Sequence, residues 1–364
     1  MTSDNVSHHF SATYGEARKK FLDSAKQAGA TTESIQNTKA NGPSGEPLYT
    51  DVARLGPEPG KARAVLFVNS GTHGAEGYCG SGCQVGALRD EMFANLPDGV
   101  AVLLTHAINP YGFAWGRRVN EDNIDLNRNY IDHDASYPDD NGYGAIHPFL
   151  CPSDLMEKKE EYDTTLFAWI EENGMEAFQE AVSSGQYTYP DGMFYGGNAP
   201  AWSNDMWRAG LAKHGEGADK AMMMDFHTGL GPSGYGELLG LGDAAAVQNA
   251  FSVWGKDEVS DLQSGDSSSA KVRGDLGEAL FEQFEGKWTA AVAVEYGTLD
   301  LVTVLDGIRK DNWLEAHGDR SSDQGKEIAA NARACFYTET DKWKSDVYVR
   351  ATWAFEKALA ALAN

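Results

Sequence analysis

The segment VNSGTHGAEGYCGS, residues 68–81, sets His73 and Glu76 three apart among glycines, directly after the apolar run ARAVLF. Farther along, His227 closes the run AMMMDFH and Glu295 closes WTAAVAVE. Two histidines and one carboxylate, with a position left open for water, form a common ligand set for catalytic zinc. Such an ion lowers the pKa of its water to near 7 and polarises a substrate carbonyl. On its own, His-x-x-Glu also reads as a turn histidine followed by a helix-start glutamate, which the positive end of a helix favours. Its companions add weight to the metal reading. The stretch WGRRVNEDNIDLNRNY, residues 115–130, brings Arg117, Arg118, Asn127 and Arg128 into an acid-rich chain. A planar guanidinium suits a carboxylate, and a second one can stabilise a developing oxyanion. Glu295, at the end of an apolar strand, is expected to be partly desolvated; that raises its pKa and suits it to take a proton from water and give it to a leaving amine. The alternative is a buried glutamate paired with an arginine. Asp225 stands two before His227, so on a strand both side chains share a face. Asp225 then either orients a ligand or only lines the site.

Elements that could position these residues alternate along the chain. SATYGEARKKFLDSAKQAGA reads as an amphipathic N-terminal helix, and ARAVLFVNS as a buried strand that ends in turn formers. SGCQVGALRDEMFANL then reads as a helix beginning near Ser81 and Cys83, and VAVLLTHAINP, AMMMDFHTGLG and WTAAVAVEYGTL as three further buried strands. Alternation of this kind predicts an α/β fold of three layers, α/β/α, around a central mixed, largely parallel sheet. Ligands in open α/β sheets gather at the carboxyl ends of parallel strands. His73, Glu76, His227 and Glu295 all fall there. Residues 133–163, polar with scattered Pro and Gly, read as a rim-forming insertion or a long connection. Residues 301–364 carry helical spacing, and the chain 1–364 reads as a single domain.

His106 reads as a satisfied strand-end histidine, and His133 and His147 as solvated loop residues. MMMDF reads as core, and at least one of Trp202 and Trp207 as a helix-to-core contact. No apolar run reaches the roughly 18 residues a membrane span needs, and the N-terminal residues lack the basic-then-apolar order of a secretory signal. A cytoplasmic location is expected. Thirty Lys plus Arg against 54 Asp plus Glu give a net charge of −24; long-range repulsion of that size disfavours nucleic acid and anionic membrane as partners. The cysteines at 79, 83, 151 and 335 form no Cys-x-x-Cys pair and read as free thiols.

Taken in order, His73-x-x-Glu76, Asn127-Arg128 within DLNRN, His227 within DFHTG and Glu295 within VEYGT resemble the motifs of the zinc carboxypeptidase superfamily. DLNR and the D-x-H form are closer to its succinylglutamate desuccinylase and aspartoacylase branch. SGTHGAEGYCGSGCQ is similar to a bacterial branch of peptidases without assigned substrates. The resemblance spans about residues 65–300. It implies one zinc ion on His73, Glu76 and His227, with Glu295 as general base and acid. It further implies Asn127 and Arg128 on a substrate carboxylate, and Arg118 on the scissile carbonyl and its oxyanion. Arg117 is the alternative to Arg118, which better matches the family's spacing. The family's mobile substrate-binding tyrosine has no matched position; Tyr235 and Tyr296 are candidates. The implied activity is hydrolysis of an amide next to a free carboxylate, in a small peptide or in an N-acyl amino acid. A non-catalytic carboxylate-binding domain on the same fold is the reading from a different class.

Overall fold

The computed structural model describes residues 6–261 and 272–363. Eight strands form one sheet: β1 (Thr31–Asn41), β2 (Pro47–Leu55), β3 (Ala64–Ser70), β4 (Val100–His106), β5 (Lys220–Ser233), β6 (Gly236–Gly240), β7 (Val259–Asp261) and β8 (Trp288–Gly297). Their order across the sheet is β1-β2-β4-β3-β5-β8-β6-β7. The central four, β4, β3, β5 and β8, run parallel, while β1, β2 and the β8–β6 pairing are antiparallel. The fold is therefore α/β with a mixed sheet whose centre is parallel, as expected.

The buried strands are apolar on both faces because helices cover both. On β5, Met222, Met224 and Phe226 enter one core and Ala221 and Met223 the other. The first core packs α1 (Tyr14–Gln27), α2 (Gly77–Arg89), α3 (Pro110–Trp115), α8 (Ala244–Trp254) and α12 (Asp341–Leu362) against the sheet. The second packs α7 (Trp202–His214) and α9 (Leu276–Gln283), with Trp207 buried in it and Trp202 against its edge. His227, Asp225 and Glu295 alternate onto this second face, in step with Met223, Ala291 and Ala293. In the ladder, His227 stands directly beside Glu295.

The polar stretch 133–163 is largely helical. It holds α4 (Tyr143–Leu150) and the start of α5 (Leu155–Asn173), which continue into α6 (Met175–Ser183) and share a small core of their own around Tyr143, Ile146 and Phe178. Its polarity reflects the exposed faces of α5, where Leu155 and Leu166 are the buried side chains. The C-terminal helices are α10 (Leu301–His317), α11 (Asp323–Ala334) and α12. All four cysteines are free.

Candidate active site

The strand β3 ends at Ser70, and the chain must turn sharply to enter α2. Gly71 permits this with φ of +66°. A side chain at Gly74 would lie 2.0 Å from the backbone of Gly112, so only glycine lets this turn nest against α3. The backbone N–H groups of Gly74 and Ala75 donate to the carbonyls of Arg118 and Arg117. That pairing joins the metal-ligand turn to the arginine loop. The helix begins at Gly77, a turn earlier than Ser81, with Glu76 at the position before it.

His73, Glu76 and His227 converge, all buried. His73 Nδ1 is 2.9 Å from Glu76 Oε1, and His227 Nδ1 is 2.9 Å from Glu76 Oε2 and 3.2 Å from His73 Nδ1. Ligands on a tetrahedral zinc with bonds of about 2.0–2.1 Å stand roughly 3.3 Å apart. Among the described residues these three make the group able to hold a metal. Each imidazole is fixed from behind. His73 Nε2 donates to Asp125 Oδ1 at 3.0 Å, and His227 Nε2 donates to Asp225 Oδ2 at 2.7 Å. That tautomer leaves both Nδ1 atoms to face the common point, the carboxylate–histidine–metal arrangement seen in zinc sites. Asp225 is held in turn by Thr72 Oγ1 at 2.9 Å. Asn127 Nδ2 lies 3.4 Å from His227 Nε2, a contact between two donors once that N–H is given to Asp225.

Burial would raise the Glu76 carboxyl, but His73 and His227 outweigh it and hold it well below the usual carboxylate range. Burial would lower His227, yet Asp225 and Glu76 hold its pKa well above that of ordinary histidine. A cation bound at Nδ1 takes the place of that proton, which makes binding pH-dependent. Glu295 behaves oppositely. Burial first, and the Glu76 charge second, push it up to about 8 against the pull of His227, the Leu230 N–H and Arg118. Its Oε1 accepts from Leu230 N at 3.1 Å.

The two adjacent arginines part company. Arg117 is 1% exposed and reaches away to Asp311 of α10 at 2.9 Å. Arg118 keeps 15% of its side chain exposed and donates to Glu76 Oε1 and Asp125 Oδ2, both at 3.0 Å. Arg128 gives three bonds to the carbonyls of Ser183 and Asn127, which leaves part of its fork of five N–H donors unspent. Asn127 Oδ1 accepts from Leu276 N. Both residues line the same cavity as His73, His227, Arg118 and Glu295.

Sequence reasoning missed two residues here. Asp125 is fully buried; burial would raise its carboxyl, but Arg118, His73 and Arg128 hold it well below the usual range. The available signal was its place two residues before Asn127, where it accepts from Asn127 N and caps the turn Leu126–Arg128. Phe194 stands with φ of +54°, an unfavourable conformation for a bulky residue, and its ring lies 5.3 Å from the Arg118 guanidinium and 5.7 Å from that of Arg128. Nothing in its sequence context marks it. Tyr296 is buried with its hydroxyl on Val347 O, on the opposite face of the sheet. It is therefore no mobile substrate-binding residue. Tyr235 is 55% exposed and absent from the cavity wall. His106 is buried, bonded to Ser81 and stacked on Phe21. His133 is a partly buried loop residue bonded to Tyr137 and to Asn129 O. His147 departs from expectation: it lies on α4 and stacks on Tyr189 at 4.1 Å.

A family model described as "Protein of unknown function (DUF2817)" matches residues 10–350. The chain belongs to this family. No curated protein matches it. Solved structures similar to this DUF2817 chain include carboxypeptidase A from Helicoverpa armigera, at 12% identity and a TM-score of 0.47 over 89% of this chain and 73% of that one. A metallo-carboxypeptidase from Pseudomonas aeruginosa aligns at 12% identity and 0.41, over 95% and 70%. The murein-tripeptide amidase of Escherichia coli O157 aligns at 15% and 0.37, over 84% and 92%.

Proposed function

We propose that this DUF2817 protein is a zinc-dependent hydrolase that cleaves an amide bond next to a free carboxylate, as a carboxypeptidase does. The observation that carries this reading is the convergence of His73 Nδ1, Glu76 and His227 Nδ1 on one point, in the cavity that also holds the Glu295 carboxyl. His73, Glu76 and His227 would hold the ion. Zinc, when bound, supplies a Lewis acid for the scissile carbonyl and acidifies the attacking water.

The remaining steps belong to the chain's own side chains. Glu295 takes a proton from the water and delivers it to the leaving amine; its raised pKa matches it to both directions of transfer near neutral pH. Arg118 is held by Glu76 and Asp125 and lines the cavity, where it stabilises the charge gained by the carbonyl oxygen. Asn127 and Arg128 bind the substrate carboxylate, with the Arg128 guanidinium near the Phe194 ring. Deacylation of an N-acyl amino acid uses the same machinery.

The test is hydrolysis of short peptides and N-acyl amino acids by zinc-loaded protein. Turnover should vanish on chelation, return with zinc, and fall about 10²–10⁴-fold in Glu295→Gln with zinc content unchanged. Tight carboxylate binding without turnover would make the protein a binding domain instead.

A further inference from the structure

The polar cluster occupies one end of a cavity of about 500 Å³, within the size range that encloses a small-molecule ligand. Most of the rest of the wall is apolar. Leu150, Leu166, Ile170, Phe178 and Val182 line it from α4, α5 and α6, and Val304, Leu305 and Ile308 from α10. Its lip is apolar as well. Seven large hydrophobic side chains are exposed among the described residues, and four of them, Phe167, Met175, Leu301 and Val302, line this one cavity at 61%, 52%, 43% and 66% exposure. Exposed apolar side chains gathered at one place mark a binding surface, whereas scattered ones do not.

The charges on this wall are already engaged with one another. Lys159 pairs with Asp163 at 2.5 Å and with Asp306 at 3.0 Å, and Arg309 pairs with Asp163 at 2.5 Å. A peptide lying along this wall would bury most of its amides against apolar side chains and engaged charges, with the Gln179 side chain the main uncharged polar group on α6 to meet them. Each unpartnered amide carries an uncompensated desolvation penalty. A saturated hydrocarbon chain carries no such groups, and gains from every methylene it buries.

We propose, resting on the hydrolase reading, that the substrate is an N-acyl amino acid with a medium or long alkyl chain. Its carboxylate lies toward Asn127 and Arg128, its amide carbonyl at the His73–Glu76–His227 cluster, and its alkyl chain along the α5–α6–α10 wall to the lip. In the reaction, water adds to the amide carbonyl carbon and the C–N bond breaks. The proton taken up by Glu295 passes to the nitrogen, which leaves a fatty carboxylate and a free amino acid.

Two readouts separate this inference from the reading beneath it. Binding of N-acetyl-, N-octanoyl- and N-dodecanoyl-glycine, each below its micelle concentration, is measured calorimetrically on the zinc-loaded Glu295→Gln protein, and hydrolysis of the same series on the unaltered protein. Affinity should rise roughly twofold to fourfold per methylene until the cavity is full. The ratio of dodecanoyl to acetyl kcat/KM should also exceed 100. In Phe167→Ser and in Val302→Ser, both exposed positions, that ratio should fall at least fivefold. Affinity that does not change with chain length overturns the inference, and so does a preference for dipeptides over every acyl length, even if chelation-sensitive turnover is found. Affinity that climbs with chain length while no substrate is turned over keeps the cavity assignment and sinks the hydrolase reading.

Discussion

Asp125 joins two functions through one carboxylate. Its Oδ1 accepts from His73 Nε2 and its Oδ2 from Arg118 Nε, each at 3.0 Å, so a metal ligand and the proposed oxyanion stabiliser share an anchor. Replacing it with Asn leaves the shape but presents an N–H where one of two donors must be accepted. Asp125→Asn should therefore weaken zinc binding about 10–100-fold, read by competition with a chromophoric chelator. It should also depress kcat at saturating zinc, because Arg118 loses its second tether. A loss repaired fully by excess zinc would confine Asp125 to the metal.

At the scale of elements, the loop 116–128 is fastened at both ends and has two differently employed arginines. Arg117 ties the loop to α10 through Asp311, which also pairs with Arg320; Arg118 ties it to the turn that begins α2. Arg117→Met leaves Asp311 with Arg320 alone and should destabilise the protein by about 1–3 kcal/mol, the usual loss for hydrogen bonds to a buried charged group that keeps another partner. Arg118→Met should instead lower kcat about 10²–10³-fold, with the smaller change in urea midpoint of the two. If Arg117→Met kept full stability and lost activity selectively, the two roles would be exchanged.

For the whole molecule, pH acts on groups that do not line the cavity. His9, His106 and His214 are buried at three separate packing contacts, and burial lowers each to about 4 from 6.5. The unfolded chain takes up these protons near 6.5 while the folded chain resists until about 4. The stability they contribute is thus complete above 6.5 and is lost as pH falls through that window. His106→Phe, which keeps a ring on Phe21, should reduce the slope of unfolding free energy against pH between 6.5 and 4 by about one proton, measured by urea titration at a series of pH values. An unchanged slope would mean that His106 is charged in the fold. No helix among the described residues is long and apolar enough to cross a membrane.

The sequence by itself determined the parallel centre of the sheet and pointed to most of the residues that the structure gathers at the candidate site. Short apolar runs ending in glycine and polar residues can be satisfied only as buried strands, and chemistry collects at their carboxyl ends. His73, Glu76, His227 and Glu295 were legible because each closes such a run or opens the helix after it. The edge strand β1 and its neighbour β2 were not; β1 is largely exposed and its polar sequence carries no periodic signal. Only the tertiary structure separated Arg117 from Arg118, because that choice depends on Asp311, almost two hundred residues away. It alone brought Asp125 behind His73, removed Tyr296 to the far face, and gathered exposed apolar side chains of α5, α6 and α10 around one cavity. Local spacing fixes which way a side chain leaves its own strand or helix; what it meets there is set by packing between segments that the sequence keeps far apart.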